Sequence, residues 1–119
     1  MSIDRNYYLI AGYDLTAYKT EAYDDWRWTD DGERYTSYQK KGCLQLFDDP
    51  MSGYYLYLGY VLATGDEYDF KTTKITITDV EAARSDVVAA VRYLKEIGII
   101  SESFDEADAY RLIMFEECT

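Results

Sequence analysis

The chain has 119 residues, of which 23 are acidic and 12 are basic, so its formal net charge is −11. This length predicts a single domain over residues 1–119, and 48% hydrophobic residues are too many for a disordered chain. The negative charge argues against direct binding to nucleic acid or to a membrane, because both surfaces carry negative charge themselves. We therefore expect a partner with a basic surface.

The residues needed for common catalytic and metal sites are largely missing. There is no histidine, which removes the most common general base at neutral pH and the usual zinc ligand. The seven glycines are scattered singly, so no phosphate-binding loop is present. We interpret Cys43 and Cys118 as reduced, buried side chains, and residues 1–6 lack the apolar stretch of a signal peptide. The sequence predicts a non-catalytic cytoplasmic protein without a cofactor or metal.

Strand patterns recur along the chain. Aromatic, β-branched or alternating residues predict strands at 7–13, 42–47, 54–63, 72–78 and 110–115, with 33–39 as a further candidate. In 54–63 both faces are apolar or aromatic, which is typical of a central strand. Turns are predicted where aspartate or proline precedes glycine, at 30–32, 48–53 and 64–67.

One long helix is predicted at about 79–97. Thr78 and Glu81 have the spacing of a capping box, and Gly98 occupies the position of a left-handed cap. An apolar stripe with helical spacing is formed by Val80, Ala83, Val87, Val91 and Leu94. The acidic segment 102–108 is a candidate for a short second helix. Together these elements predict an α+β fold, an antiparallel sheet of about five strands with the main helix on one face.

Segment 21–33 interleaves acidic and aromatic residues, with six acids and one arginine around two tryptophans. Alternate carboxylates on a strand are about 6.6 Å apart, which is similar to successive phosphates of a nucleic acid. A basic groove built for DNA or RNA can accept such a row, with aromatic rings as anchors. The candidate partner-binding residues here are Asp24, Asp25, Trp26, Trp28, Asp30, Asp31 and Glu33. The alternative is a solvated acidic face, and for each tryptophan we favour a place in the core.

Two further groups complete the predicted binding surface. Tyr55 and Tyr57 lie on the second face of the central strand, and exposed tyrosine offers contact area at low entropic cost. Asp66, Glu67 and Asp69 add acidic side chains. If these segments contribute to one binding surface, their carboxylates must converge in space.

In size, charge, tyrosine content and lack of catalytic motifs, the whole chain resembles small acidic proteins encoded by bacteriophages. Several of those proteins are anti-CRISPRs or other inhibitors of host defence. The resemblance is one of composition and length, and it carries over no individual residue. It implies an inhibitor that acts in the host cytoplasm by occupying the basic nucleic-acid-binding surface of its target, as DNA mimics do.

Two other functions remain open at this point. A homo-oligomeric structural or regulatory domain would associate through the tyrosine-rich faces of 54–63, so the chain is expected to be a monomer or a homodimer. A metal-dependent enzyme would use carboxylates, such as Asp69 with Asp48 or Asp49. Calcium is a further possibility for Asp66, Glu67 and Asp69, although no segment matches an EF-hand loop.

Overall fold

The computed structural model describes residues 5–36, 42–48, 55–66 and 74–118. The strands are β1 (Arg5–Asp14), β2 (Leu44–Asp48), β3 (Leu56–Asp66) and β4 (Arg111–Cys118). The helices are α1 (Tyr23–Trp26), α2 (Asp30–Thr36) and α3 (Ile77–Glu96), and a 3-10 turn covers Thr16–Tyr18.

The four strands form one antiparallel sheet in the order β2-β3-β1-β4. The predicted α+β class is therefore confirmed, and the described residues hold four strands rather than about five. β3 lies between β2 and β1, as the two apolar faces of its sequence predicted. A register shift interrupts the pairing of β1 with β3 between Leu9 and Ile10, whereas β1 pairs with β4 continuously over eight residues.

Several local predictions are wrong. Residues 33–36 belong to α2, although 33–39 was a candidate strand. Residues 77–78 begin α3, although 72–78 was predicted as a strand. Residues 64–66 continue β3 instead of turning, because they still pair with β1. Segment 102–108 forms turns rather than a helix. The remaining residues of the predicted strands at 33–39 and 72–78, and the turn residues 49–53 and 67, lie outside the described residues.

α3 begins two residues earlier than the predicted start, because the capping box is formed by Thr76 and Asp79. The Asp79 amide donates to the Thr76 side chain at 3.1 Å, and the Thr76 amide donates to the Asp79 carboxylate at 2.9 Å. The helix ends before Gly98, which has a φ of +83°, as predicted for a left-handed cap. Its buried residues are Ala83, Val87, Ala90, Val91 and Leu94.

The main core lies between α3 and the sheet. Leu56 and Leu58 of β3 are buried there with Tyr13 of β1, and α1 and α2 pack against the same core through Tyr23, Trp26 and Tyr35. Phe104 closes it from the turn after α3 and is 3% exposed. No helix among the described residues is long and apolar enough to cross a membrane.

A second apolar layer covers the opposite face of the sheet. Its five rings, called the aromatic cluster below, are those of Tyr8, Phe47, Tyr55, Tyr57 and Phe115. Neighbouring rings lie 4.9–5.4 Å apart between Tyr8, Phe47 and Phe115. The alternation of side chains along each strand produces this layer, since one set of residues faces α3 and the other faces away.

Candidate functional site

Two short helices carry the acidic segment. Asp24 and Asp25 lie in the first turn of α1, and Asp30, Asp31 and Glu33 lie in the first turn of α2. Carboxylates at these positions interact favourably with the unpaired amides and the positive end of the helix dipole. The same residues that suggested a nucleic-acid mimic therefore also help the chain to form these helices.

Gly32 is required for close packing between the two helices. It lies within α2 rather than in the predicted turn, and a Cβ atom added to it would be 2.2 Å from the carbonyl oxygen of Trp26. The Thr29 hydroxyl accepts from the Gly32 amide at 3.2 Å and donates to the Trp26 carbonyl at 2.6 Å. Together these contacts hold α2 directly against the end of α1.

Asp48 anchors this segment to the sheet. The Tyr23 hydroxyl donates to its carboxylate at 2.7 Å, and the Arg27 guanidinium binds both carboxylate oxygens, one of them at 3.0 Å. Burial and the neighbouring Asp48 raise the pKa of Tyr23 far above its usual value. Because Arg27 is paired within the fold, its charge is largely offset and the outer surface of the segment stays acidic.

Trp26 and Asp31 stabilise the fold. The Trp26 indole donates to the Asp31 carboxylate at 3.1 Å, and the Tyr93 hydroxyl of α3 donates to the same oxygen at 2.7 Å. The Tyr35 ring lies 5.8 Å from Trp26 and stacks with Tyr93 at 6.5 Å. Trp26 therefore has the core role that we favoured for the tryptophans, and Asp31 links α2 to α3.

Trp28 differs from Trp26 because 67% of its surface is exposed. It lies between α1 and α2, and the Arg27 guanidinium is 4.4 Å from the centre of its ring. This cation–π contact covers one face of the indole and orients the ring. The expectation that this tryptophan fills the core is wrong.

Four predicted carboxylates that are close to Trp28 in sequence are exposed. These residues, with the tryptophan, form what we call the acidic Trp28 surface: Asp24, Asp25, Trp28, Asp30 and Glu33. Each acid is within five residues of Trp28, so its Cα is no more than about 18 Å away. This surface combines a large accessible ring with several accessible negative charges.

The predicted tyrosines lie elsewhere. Tyr55 and Tyr57 are half-buried in the aromatic cluster, where their rings stack with centroids 5.1 Å apart. Burial, with a contribution from Asp14, raises the pKa of Tyr57. They therefore belong to the sheet face opposite α3, whereas the acidic helices pack against the core on the α3 side.

The structure does not bring Asp66 to the acidic Trp28 surface. Asp48 pairs with Leu56 at the start of β3, and Asp66 is ten residues farther along the same strand. At about 3.3 Å per residue, the two ends are about 33 Å apart. The expected convergence of the acidic segments is therefore wrong for Asp66, and Glu67 and Asp69 lie outside the described residues.

In the acidic segment after α3, one carboxylate is paired with basic side chains of the helix. Glu106 accepts from Lys95 at 2.9 Å and from Arg92 at 3.1 Å, and these contacts lower its pKa to about 2. The sequence patterns did not reveal the contact of Glu106 with α3, nor the contacts that Asp48 and Tyr93 make with segment 21–33. In each case the two partners are distant in sequence. In the part of the chain that the structure describes, no group of three acidic or cysteine residues is arranged to hold a metal ion.

Comparison with models of protein families, with curated proteins and with solved structures found no match to this chain.

Proposed function

We propose that the protein is a non-catalytic binding protein that docks through the acidic Trp28 surface on a basic, nucleic-acid-binding surface of another protein. Several phage-encoded inhibitors of host defence, among them anti-CRISPR proteins and DNA mimics, act in this way. The observation that supports it most directly is an exposed tryptophan in a short segment whose neighbouring carboxylates are also exposed.

Trp28 would supply the anchor of such an interface. Tryptophan is enriched among the few residues that carry most of the binding energy in protein–protein interfaces. The contact with Arg27 holds the ring in one orientation, so less side-chain entropy would be lost on docking. Trp26, by contrast, is engaged with Asp31, Tyr35 and Tyr23 and has little surface to offer.

The carboxylates around the ring would select the partner. Charged residues at the rim of an interface mainly steer association and reject surfaces of the same sign. Asp24, Asp25 and Asp30 are exposed, and the nearby Arg27 is already paired with Asp48. A basic partner would therefore meet mostly negative charge here, and its affinity should fall as salt rises.

The experiment is a pull-down from a bacterial lysate with the tagged protein, washed at low and then at high salt. The test variant reverses three charges, Asp24→Lys, Asp25→Lys and Asp30→Lys, and leaves Asp31 intact because it holds Trp26 and Tyr93. The matched control makes the same number of reversals at exposed positions elsewhere, Asp86→Lys, Glu96→Lys and Glu102→Lys. We expect the control to retain a basic protein that the test variant loses.

Trp28→Ala provides the second measurement. With the captured partner in hand, titration calorimetry should show binding weakened by roughly thirtyfold or more, as for an anchor worth about 2 kcal/mol. The melting temperature should stay near that of the parent, because the ring is 67% exposed. Retention of the partner by both the charge-reversed and the Trp28→Ala proteins would refute the proposal.

A further inference from the structure

β4 is an outer strand of the sheet, and its residues Arg111–Cys118 pair on one side with β1. Among the residues that the structure describes, no strand lies on its other side. Backbone N–H and C=O groups along such an edge are ready to pair with another strand. The opposite edge, β2, has only five residues and is contacted by α2, so β4 is the longer and more accessible edge.

β4 also exposes apolar side chains. Ile113 and Phe115 belong to the layer opposite α3, so Leu112 and Met114 point to the α3 side of the sheet. α3 packs against β3 and β1, and Leu112 and Met114 are 50% and 79% exposed. Contiguous exposure of this kind on an edge strand is typical of a surface that another strand covers.

Two copies of β4 can pair antiparallel so that residues of opposite charge, and apolar residues, lie opposite each other. Directly opposite residues of an antiparallel pair share a face, so two copies related by a two-fold axis through the sheet must place one residue opposite its own copy. With Met114 at that position, Arg111 of each copy lies opposite Glu117 of the other, and Ile113 lies opposite Phe115. Shifting the centre to Ile113 or Phe115 removes the pairing of opposite charges, because Arg111 then faces Phe115 or Thr119.

We infer that two copies of this chain associate edge to edge through β4, antiparallel about Met114, so that the four described strands of each copy join in one continuous sheet. In this register Met114 lies opposite its own copy between two Ile113–Phe115 pairs, Leu112 lies opposite Glu116, and the two Arg111–Glu117 pairs are outermost. α3 of each copy lies on the same face of the joined sheet. Each copy carries a net charge of −11, so long-range repulsion opposes the dimer and salt favours it. This surface differs from the tyrosine faces of β3 that the sequence suggested for self-association.

The first test is sedimentation of the purified protein over a range of concentrations at low and high salt. We expect a monomer–dimer equilibrium that shifts toward dimer as sodium chloride is raised. Met114→Lys places two like charges at the axis and should weaken the dimer by roughly tenfold or more. The matched control is Ile77→Lys, which adds the same charge at a residue of α3 that is 83% exposed and should leave the dimer intact.

The second test uses charge exchange across the axis. Arg111→Glu and Glu117→Arg should each weaken self-association of the variant that carries it. A mixture of the two variants should form a heterodimer at least as stable as the parent dimer, because both pairs across the axis again join opposite charges. Circular dichroism of each variant checks that the fold is retained, and recovery in the mixture would itself show that both variants are folded.

Three results would overturn the inference: a protein that stays monomeric at every concentration and salt, equal dimerisation of Met114→Lys and Ile77→Lys, or no heterodimer in the mixture. The test uses the protein alone and predicts that salt strengthens association. It is therefore independent of the docking on a basic partner, which salt should weaken.

Discussion

Gln45 occupies an unusual position for an uncharged polar side chain. It lies in β2 opposite Gly59, is 1% exposed, and its side-chain nitrogen donates no hydrogen bond. A buried donor without an acceptor loses its hydrogen bonds to water and costs about 1–3 kcal/mol. Its neighbour on the same face of β2, Phe47, is one of the rings of the aromatic cluster, so the surroundings are largely apolar.

We therefore predict that Gln45→Met stabilises the protein by about 1 kcal/mol, because methionine has a similar length and no donor to desolvate. Urea denaturation of the two proteins measures the difference in the free energy of unfolding. Gln45→Glu serves as the opposite control and should destabilise the fold, since it buries a carboxylate. A methionine variant less stable than the parent would mean that the amide makes a stabilising contact.

At the scale of elements, two threonines near the start of α3 have different roles although their sequence surroundings are similar. Thr76 exchanges two hydrogen bonds with Asp79, whereas Thr78 lies inside the first turn and is exposed. Only the first of them satisfies an amide that the helix itself cannot pair. The capping role therefore depends on where the chain leaves its extended conformation, which the spacing of threonine and acidic residues does not specify.

Thr76→Ala is expected to lower the free energy of unfolding by about 1 kcal/mol, the usual cost of losing an N-cap. Thr78→Ala is the matched control and should change it by no more than a few tenths of a kcal/mol. Thermal and urea unfolding of both variants provide the comparison. Equal losses in the two variants would show that the cap contributes little to the stability of α3.

The elements also show which parts of the fold local sequence patterns can predict. β3 and α3 were predictable because their signals, alternation and a repeated apolar stripe, lie within the elements themselves. The fold of segment 21–36 was not, because it depends on Asp48, 21 residues from Arg27, and on Tyr93, 62 residues from Asp31. For the same reason, the sequence supplied the acids of the candidate surface but not the different roles of Trp26 and Trp28.

At the scale of the whole molecule, the main electrostatic feature is the large net negative charge. A net charge of −11 on 119 residues favours solubility but destabilises the compact state through repulsion. Among the described residues, the ion pairs of Asp48 and Glu106 are partly shielded contacts within the fold. Screening by salt should reduce the repulsion more than it weakens these partly buried pairs.

Raising sodium chloride from 10 to 150 mM is therefore expected to increase the free energy of unfolding, as measured by urea denaturation at fixed pH. In the variant with Asp86→Lys, Glu96→Lys and Glu102→Lys, each reversal makes the net charge less negative by two units. The free energy of unfolding of this variant should therefore increase less with salt. A parent protein that salt destabilises would indicate that attractive pairs outweigh repulsion. Both proteins should be compared at a concentration low enough to keep them monomeric.

The order of strands in the sheet has a consequence for folding during synthesis on the ribosome. β1 is made before the other described strands, yet one of its two neighbours, β4, follows it by roughly a hundred residues, which take on the order of 5–20 s to synthesise. During that interval Tyr8 and Ile10 lack the side chains of Phe115 and Ile113 that later lie opposite them. The nascent chain thus carries an incomplete sheet edge, open to chaperones or to neighbouring nascent chains, until β4 emerges.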